Sequence, residues 1–396
     1  MGRIYLDHHS TTPCDPQVVT AMMPYFTTAF GNSASRTHAF GKAASEAVER
    51  ARGQVASLIH AQPAEIIFTS GATESNNLAI KGVVDFYKTK GNHVITVATE
   101  HPAVLDVCRA LEKDGRIRLT VLPVKPDGLL DLAVLHAAFT PETILVSVMF
   151  ANNEIGVLQP IAEIGRICRQ KGAFFHSDGA QAIGKVPIDT DDLGIDLLSI
   201  SAHKVYGPKG IGALFVRKRN PRVRLTPQMD GGGHENGMRS GTLPVPLVVG
   251  FGEACAIAGR ELPEETNRVL KLREYLRKLI FETFDHVRLN GSLERRLPGN
   301  LNVSFEYVEG ESLILGMAEV AVSSGSACAS AKLEPSHVLH ALGLNEPLAR
   351  SSIRFGIGRF NTQAEIDQAF VLLQREVLRL REISPLYSVA RPDENR

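Results

Sequence analysis

Between residues 60 and 216, short β-branched and apolar runs alternate with segments of helical period. The runs at 65–69, 93–98, 118–122, 143–149, 173–176, 196–201 and 211–216 have strand length and lead into polar or small residues. Several lack strict in–out alternation, as strands buried on both faces do. Between them, 75–90, 103–113 and 161–171 carry helical spacing. Upstream, Ala43, Ala47, Val48, Ala51 and Val55 lay an apolar stripe along a helix within 35–60. This alternation predicts an α/β fold, a mostly parallel seven-stranded sheet with helices on both faces, whose ligands sit at the carboxyl ends of the strands.

Past residue 260 the texture changes. A charged amphipathic helix over 261–284 precedes short strands near 300–305 and 354–357. Thr362, Gln363, Ala364 and Glu365 read as a capping box opening a last helix to about residue 381. This predicts a smaller α+β unit. The split assigns 15–258 to a large domain, and 1–14 with 259–396 to a small one. The polar tail at 390–396 reads as frayed.

Composition narrows the function classes. Of 396 residues, 44% are hydrophobic and 22% charged, which fits a packed core rather than disorder. The most apolar stretch, 245–259, is broken by Glu253 and by glycines, so no membrane span is expected. With 43 basic and 43 acidic side chains there is no net field to attract nucleic acid. Five cysteines, odd in number and without a CxxC pair, point away from a disulfide scaffold and toward a reducing compartment. The chain enters Arg3-Ile4-Tyr5-Leu6 almost at once, leaving no room for a leader, and a cytoplasmic protein is expected.

The residues that follow the strands carry the chemistry. Ser70-Gly71-Ala72-Thr73-Glu74-Ser75 joins a strand to a helix, and a glycine turn with free N–H groups at a helix start suits a phosphate; an ordinary N-cap is the plainer reading. Ser201-Ala202-His203-Lys204 closes another strand. Burial there would lower the lysine pKa and suit Schiff-base chemistry, whereas a lysine opening a solvated loop is the alternative. Asp178, followed by Gln181, can hold a protonated pyridine nitrogen or simply cap a helix. Together these three form a constellation for pyridoxal phosphate. His101 follows a strand where its ring can stack on a planar cofactor and move protons. Asn152-Asn153-Glu154 adds polar donors, and the glycine-rich 231–242 segment can approach a phosphate or serve as a mobile connector.

Cys328 lies in eight consecutive small residues, Ser323 to Ser330, which reads as a mobile loop with a reactive thiol. Cys108, Cys168 and Cys255 sit in apolar helical patterns and read as core. Arg354, in an apolar strand, suits a substrate carboxylate or a surface ion pair on an edge strand. The basic run 217–224 reads as a solvated loop. Asp7-His8-His9 looks like a metal cluster, but neighbouring histidines on an extended strand point to opposite faces.

On these residues the chain resembles the cysteine desulfurases of the IscS/NifS type, fold-type I pyridoxal-phosphate enzymes of the class V aminotransferase group. The likeness runs from Tyr5-Leu6-Asp7 to Ser384-Pro385-Leu386, most specifically through 69–77, 152–156, 201–212, 231–244 and 323–330. It implies a fold-type I transferase whose large domain binds pyridoxal 5'-phosphate and whose small domain carries Cys328. By resemblance, Lys204 joins the cofactor, His101 stacks on its ring as an acid/base, and Asp178 pairs with the ring nitrogen. Asn153 and Gln181 reach the ring hydroxyl or the substrate. Ala72, Thr73, Ser201 and His203 hold the phosphate, and Thr242 reaches the phosphate of a partner subunit, which implies a homodimer. Arg354 binds the substrate carboxylate. Cys328 takes sulfur from L-cysteine as a persulfide, leaves L-alanine, and passes the sulfur to an iron–sulfur scaffold or another acceptor, tRNA thiolation included. No resident metal is expected; Cys328 is the one thiol offered in passing to a nascent iron–sulfur cluster. An aminotransferase, a selenocysteine lyase and a non-catalytic scaffold are the rival readings. His8-His9-Ser10 and Gly179 depart from the family pattern, at positions expected to touch no catalytic atom. The ending at Arg396 also differs from the longer tail of the housekeeping member.

Overall fold

The computed structural model describes residues 3–324 and 336–390. Its centre is a seven-stranded sheet built from β1 (Ile66–Thr69), β2 (His93–Val97), β3 (Arg118–Leu122), β4 (Thr143–Ser147), β5 (Phe174–Asp178), β6 (Leu197–Ser201) and β7 (Gly212–Val216). The spatial order is β1-β7-β6-β5-β4-β2-β3. β7 runs antiparallel to both neighbours, and the other pairings are parallel. Every strand but the edge strand β3 is buried throughout, which is why the sequence shows continuous apolar runs rather than alternation.

The two faces of this sheet bury separate clusters. Phe68, Val97, Val146, Phe175, Ile200 and Phe215 point one way, and Ile67, Val94, Leu145, Phe174, Leu197 and Leu214 the other. Helices α1 (Ala39–Leu58), α2 (Ala72–Phe86), α3 (Pro102–Lys113) and α4 (Ile161–Lys171) cover them.

A second core gathers Ile4 and Leu6 with side chains between Val269 and Leu380. Its sheet has β8 (Val287–Leu289), β9 (Asn300–Phe305), β10 (Ser323–Ser324) and β11 (Ser352–Gly356), in the order β10-β11-β9-β8.

One helix, α5 (Val245–Thr283), serves both cores. Its first half packs Val248, Phe251 and Ala254 on the central sheet, and its second half packs Val269, Leu276 and Ile280 on the small one. The sequence reading opens a helix only at 261, yet the helix runs unbroken through the expected boundary at 258/259 and through Pro263. The composition shift marks a change of packing partner, not a change of element. Thr362 and Glu365 do form the reciprocal capping box, opening α6 (Gln363–Glu382).

Two loop readings are corrected in part. In the basic run 217–224, Lys218, Arg219, Arg222 and Arg224 are exposed as expected, but Arg217 is 4% exposed, ion-paired with Asp191 and Asp196, and donates to the carbonyls of Thr190 and Ile195. The 231–242 segment is tethered rather than free. Arg52 grips Glu235 through two 2.8 Å bonds, and Arg239 pairs with Glu74 at 2.9 Å. Among the described residues no helix is long and apolar enough to cross a membrane.

Candidate active site

A cavity of about 550 Å³ opens where the central strands end. Ala72, Thr73, His101, Asn153, Asp178, Gln181, Ser201, His203 and Lys204 all line it. These nine come from five different strand ends and are distant in sequence, so the parallel topology is what brings them together.

The anion end lies at the start of α2. Gly71 caps the helix with φ 151°, in a region only glycine occupies easily. Gly212 at the start of β7 lies close by: a Cβ added there would meet Gly71 Cα at 2.7 Å and Ile200 O at 2.5 Å. Bare backbone on both sides leaves the N–H groups of Ala72 and Thr73 open to the cavity, with the Ser201 hydroxyl beside them.

At the acidic end, Asp178 closes β5 and is 6% exposed. One oxygen accepts from Asn76 Nδ2 at 2.7 Å and the other from the Ala180 N–H at 3.0 Å. Glu100 lies near it, fully buried, and accepts from the Met149 N–H. Burial first, and Asp178 second, push the Glu100 carboxyl well above the usual range, which favours the neutral acid beside the aspartate. His101 caps α3, its Nδ1 accepting the Ala103 N–H at 3.1 Å, so the neutral ring carries its proton on Nε2. Burial lowers its pKa, with Asp178 opposing and Lys204 assisting. His203 is lowered to about 4 by burial and then by Lys204 and Lys209, and its Nδ1 lies 3.0 Å from the Thr11 hydroxyl.

Lys204 sits in the single turn after β6 and donates to the carbonyls of His9 at 2.5 Å and Ser10 at 2.6 Å. It is therefore not a lysine opening a solvated loop. The segment 7–12 also contradicts the expectation that its departures touch nothing catalytic. His9 Nδ1 bonds Gln181 Oε1 at 3.0 Å, and Gln181 Nε2 donates to the His9 carbonyl at 2.8 Å. Nor is the segment extended: residues 8–10 form a turn, in which His8 bonds the Gly356 carbonyl instead of sharing a ligand with His9. Among the described residues no group of three metal-ligating side chains occurs. Gly179 is also in close contact, since a Cβ there would meet Leu198 Cδ1 at 2.7 Å.

Arg354 does not lie on an edge strand. It is 1% exposed on β11, which pairs with a strand on each side. Nη2 donates to Asp7 Oδ1 at 2.8 Å and Ser10 Oγ at 2.7 Å, and Nη1 to the Asn153 carbonyl at 2.8 Å. Arg354 itself does not line the cavity; it lies behind Ser10 and Asn153, which do. Thr242 is exposed and lines no part of this cavity. Cys328 lies outside the described residues, as do 391–396. Cys108, Cys168 and Cys255 are buried core, the Cys108 thiol pushed up to about 12 by burial.

Sequence reasoning missed Asn76, Glu100 and His9. Asn76 falls one turn after Thr73 on α2, a spacing that signals a shared face; the other two give no local signal.

The family model Aminotransferase class-V matches residues 4–369. Cysteine desulfurase IscS of Rickettsia bellii is 59% identical over 386 residues, covering 98% of this chain and 94% of its own. Among solved structures, a NifS-like protein superposes with TM-score 0.87 at 35% identity, over 94% of this chain and 98% of its own. SspA in complex with cysteine superposes with TM-score 0.80 at 38% identity, over 91% of this chain and 100% of its own.

Proposed function

We propose, for a chain that belongs to the class-V aminotransferase family and stands among its cysteine desulfurases, the conversion of L-cysteine to L-alanine with transfer of sulfur to a protein thiol. The observation that carries this reading is the convergence of a helix-start anion cradle, a buried carboxylate and a strand-end lysine on one cavity.

These residues fit pyridoxal 5'-phosphate. The N–H groups at Ala72 and Thr73, with Ser201 and His203, would hold its phosphate, Asp178 its ring nitrogen, and Lys204 its aldehyde carbon. When bound, the cofactor supplies an electron sink for a carbanion at the substrate Cα.

The chain's own groups do the rest. Asp178, kept in place by Asn76 and the Ala180 N–H, holds a proton on the ring nitrogen. Burial disfavours a second negative charge on Glu100 beside Asp178. Lys204 removes the proton from the substrate Cα. His101, with Nδ1 taken by the Ala103 N–H, offers Nε2–H as a proton donor. Arg354, held by Asp7 and Ser10, binds the substrate carboxylate and so orients the molecule. Cys328, as thiolate, attacks the substrate sulfur. The Cβ–S bond breaks and its electron pair stays with carbon, so Cys328 is oxidised to a persulfide as the carbon is reduced. The α-proton and the thiol proton end up on alanine.

The division into residues 15–258, and 1–14 with 259–396, belongs to the same reading. The shared core of Leu6 with Val269 and beyond supports it. So does a homodimer in the cytoplasm: Thr242 is exposed on one copy, where a second copy could use it, and the persulfide passes to an iron–sulfur scaffold or another acceptor.

The test is spectroscopic. Protein loaded with pyridoxal phosphate absorbs in the visible, and Lys204→Ala abolishes that band. A wild type that stays colourless and shows no affinity for the cofactor would sink the reading.

A further inference from the structure

Lys185 lies in the turns after β5, near the cavity but outside its lining. Its amine donates to Gln181 Oε1 at 3.1 Å. His9 Nδ1 lies 3.0 Å from the same oxygen. Burial holds the His9 ring neutral, so Nδ1 carries the proton and donates as well. On the other side of the amide, Gln181 Nε2 donates to the His9 carbonyl at 2.8 Å, and Lys204 Nζ donates to that same carbonyl.

Two donors on the amide oxygen and an acceptor-only carbonyl on the nitrogen leave the amide a single orientation. The second Nε2 hydrogen is then left for the cavity that Gln181 lines. The same bonds hold two amines, Lys185 and Lys204, on one side of the site.

We propose that Lys185 is a positioning residue for the cofactor: its amine orients the Gln181 amide so that Nε2 donates to the cofactor's ring oxygen. The inference rests on reading the cavity as a pyridoxal phosphate site. Facing Lys185 among the described residues are Lys204 after β6, Arg354 on β11, Glu265 on α5, His203, and His8 and His9 of the N-terminal segment. Burial, and then Lys204, bring the Lys185 amine down to about 7, with Glu265 opposing.

The experiment titrates apo-protein with pyridoxal phosphate and follows the intensity and position of the visible band. It uses wild type, Lys185→Met, Gln181→Ala and the double variant. Methionine matches the lysine stem, and apolar replacement of a buried charge is often neutral or stabilising, so Lys185→Met is expected to fold. Lys185→Met and Gln181→Ala should each raise the Kd about tenfold, the worth of one hydrogen bond. The double variant should be no worse than either single, because both remove the same bond. The position of the visible band, which responds to the hydrogen bond on the ring oxygen, should shift in the same direction in Lys185→Met and Gln181→Ala. If Lys185→Met fails to fold, Lys185→Leu gives the same test. Additive losses in the double variant, or an unshifted band in Lys185→Met, overturn the proposal. Wild type that binds no pyridoxal phosphate overturns instead the reading beneath it.

Discussion

On the floor of the cavity, where the central strands end, burial removes charge from most ionisable groups. At the wall built from the N-terminal segment and the small sheet, burial lowers His8 and His9 as well, but one ion pair, Arg354 with Asp7, is kept. His101 and His203 on the floor are lowered, and Glu100 is raised, each with burial as the largest cause. At the wall Arg354 is 1% exposed yet paired with Asp7 at 2.8 Å. The contrast follows the work of each surface. A floor that moves a proton at Lys204 is served by neighbours whose charge burial suppresses. A wall that holds a carboxylate needs a cation that never titrates, kept in place by its own counter-ion.

The strongest way to break this comparison is to discharge the wall. Arg354→Ala strands Asp7 and Ser10 without their partner, and breaking a buried pair costs about 3–5 kcal/mol. Denaturant unfolding should show that loss, and cofactor titration should show binding retained where folded protein remains. A loss below about 1 kcal/mol would mean the pair is solvent-screened, like a surface bridge.

A smaller effect sharpens the boundary between the two surfaces. Glu154 is buried beside Arg354 and accepts from the Ser336 hydroxyl, and burial lifts it from 4.5 to about 7. A folded-state pKa above the unfolded value means the fold prefers the neutral acid. That stability is complete below 4.5 and is lost as pH rises through 7. His8 and His176, lowered from 6.5 to about 4, act in the opposite sense: their contribution is complete above 6.5 and is lost as pH falls through 4. Glu154→Gln should therefore gain on wild type by about 1–3 kcal/mol between pH 5 and pH 8. Parallel unfolding midpoints across that range would show that Glu154 is charged throughout.

The floor was more legible in the sequence than the wall. Lys204, Asp178 and His101 follow buried strands, whose apolar runs announce themselves, and the α/β topology then brings their ends together. Glu100 and Asn76 support the same floor through tertiary contacts that no local pattern encodes. The wall depends on pairings between Asp7, Ser10 and Arg354, hundreds of residues apart, and a strand of apolar character gives no sign of which partner an embedded arginine will meet. His9 and Lys185 escaped notice for the same reason: one looks like half of a histidine pair and the other like an ordinary loop lysine. Helix α5 hid its continuity because its first half is buried and its second half amphipathic.

The central claim is that sulfur leaves cysteine for Cys328 at this site. The direct measurement is the mass of the peptide bearing Cys328 after the loaded protein meets L-cysteine without reductant or acceptor, with alanine counted alongside. The account predicts a peptide heavier by one sulfur atom and one alanine per persulfide, both absent in Cys328→Ala, which keeps its colour. Full alanine formation by Cys328→Ala, or an unmodified peptide beside released alanine, would contradict it.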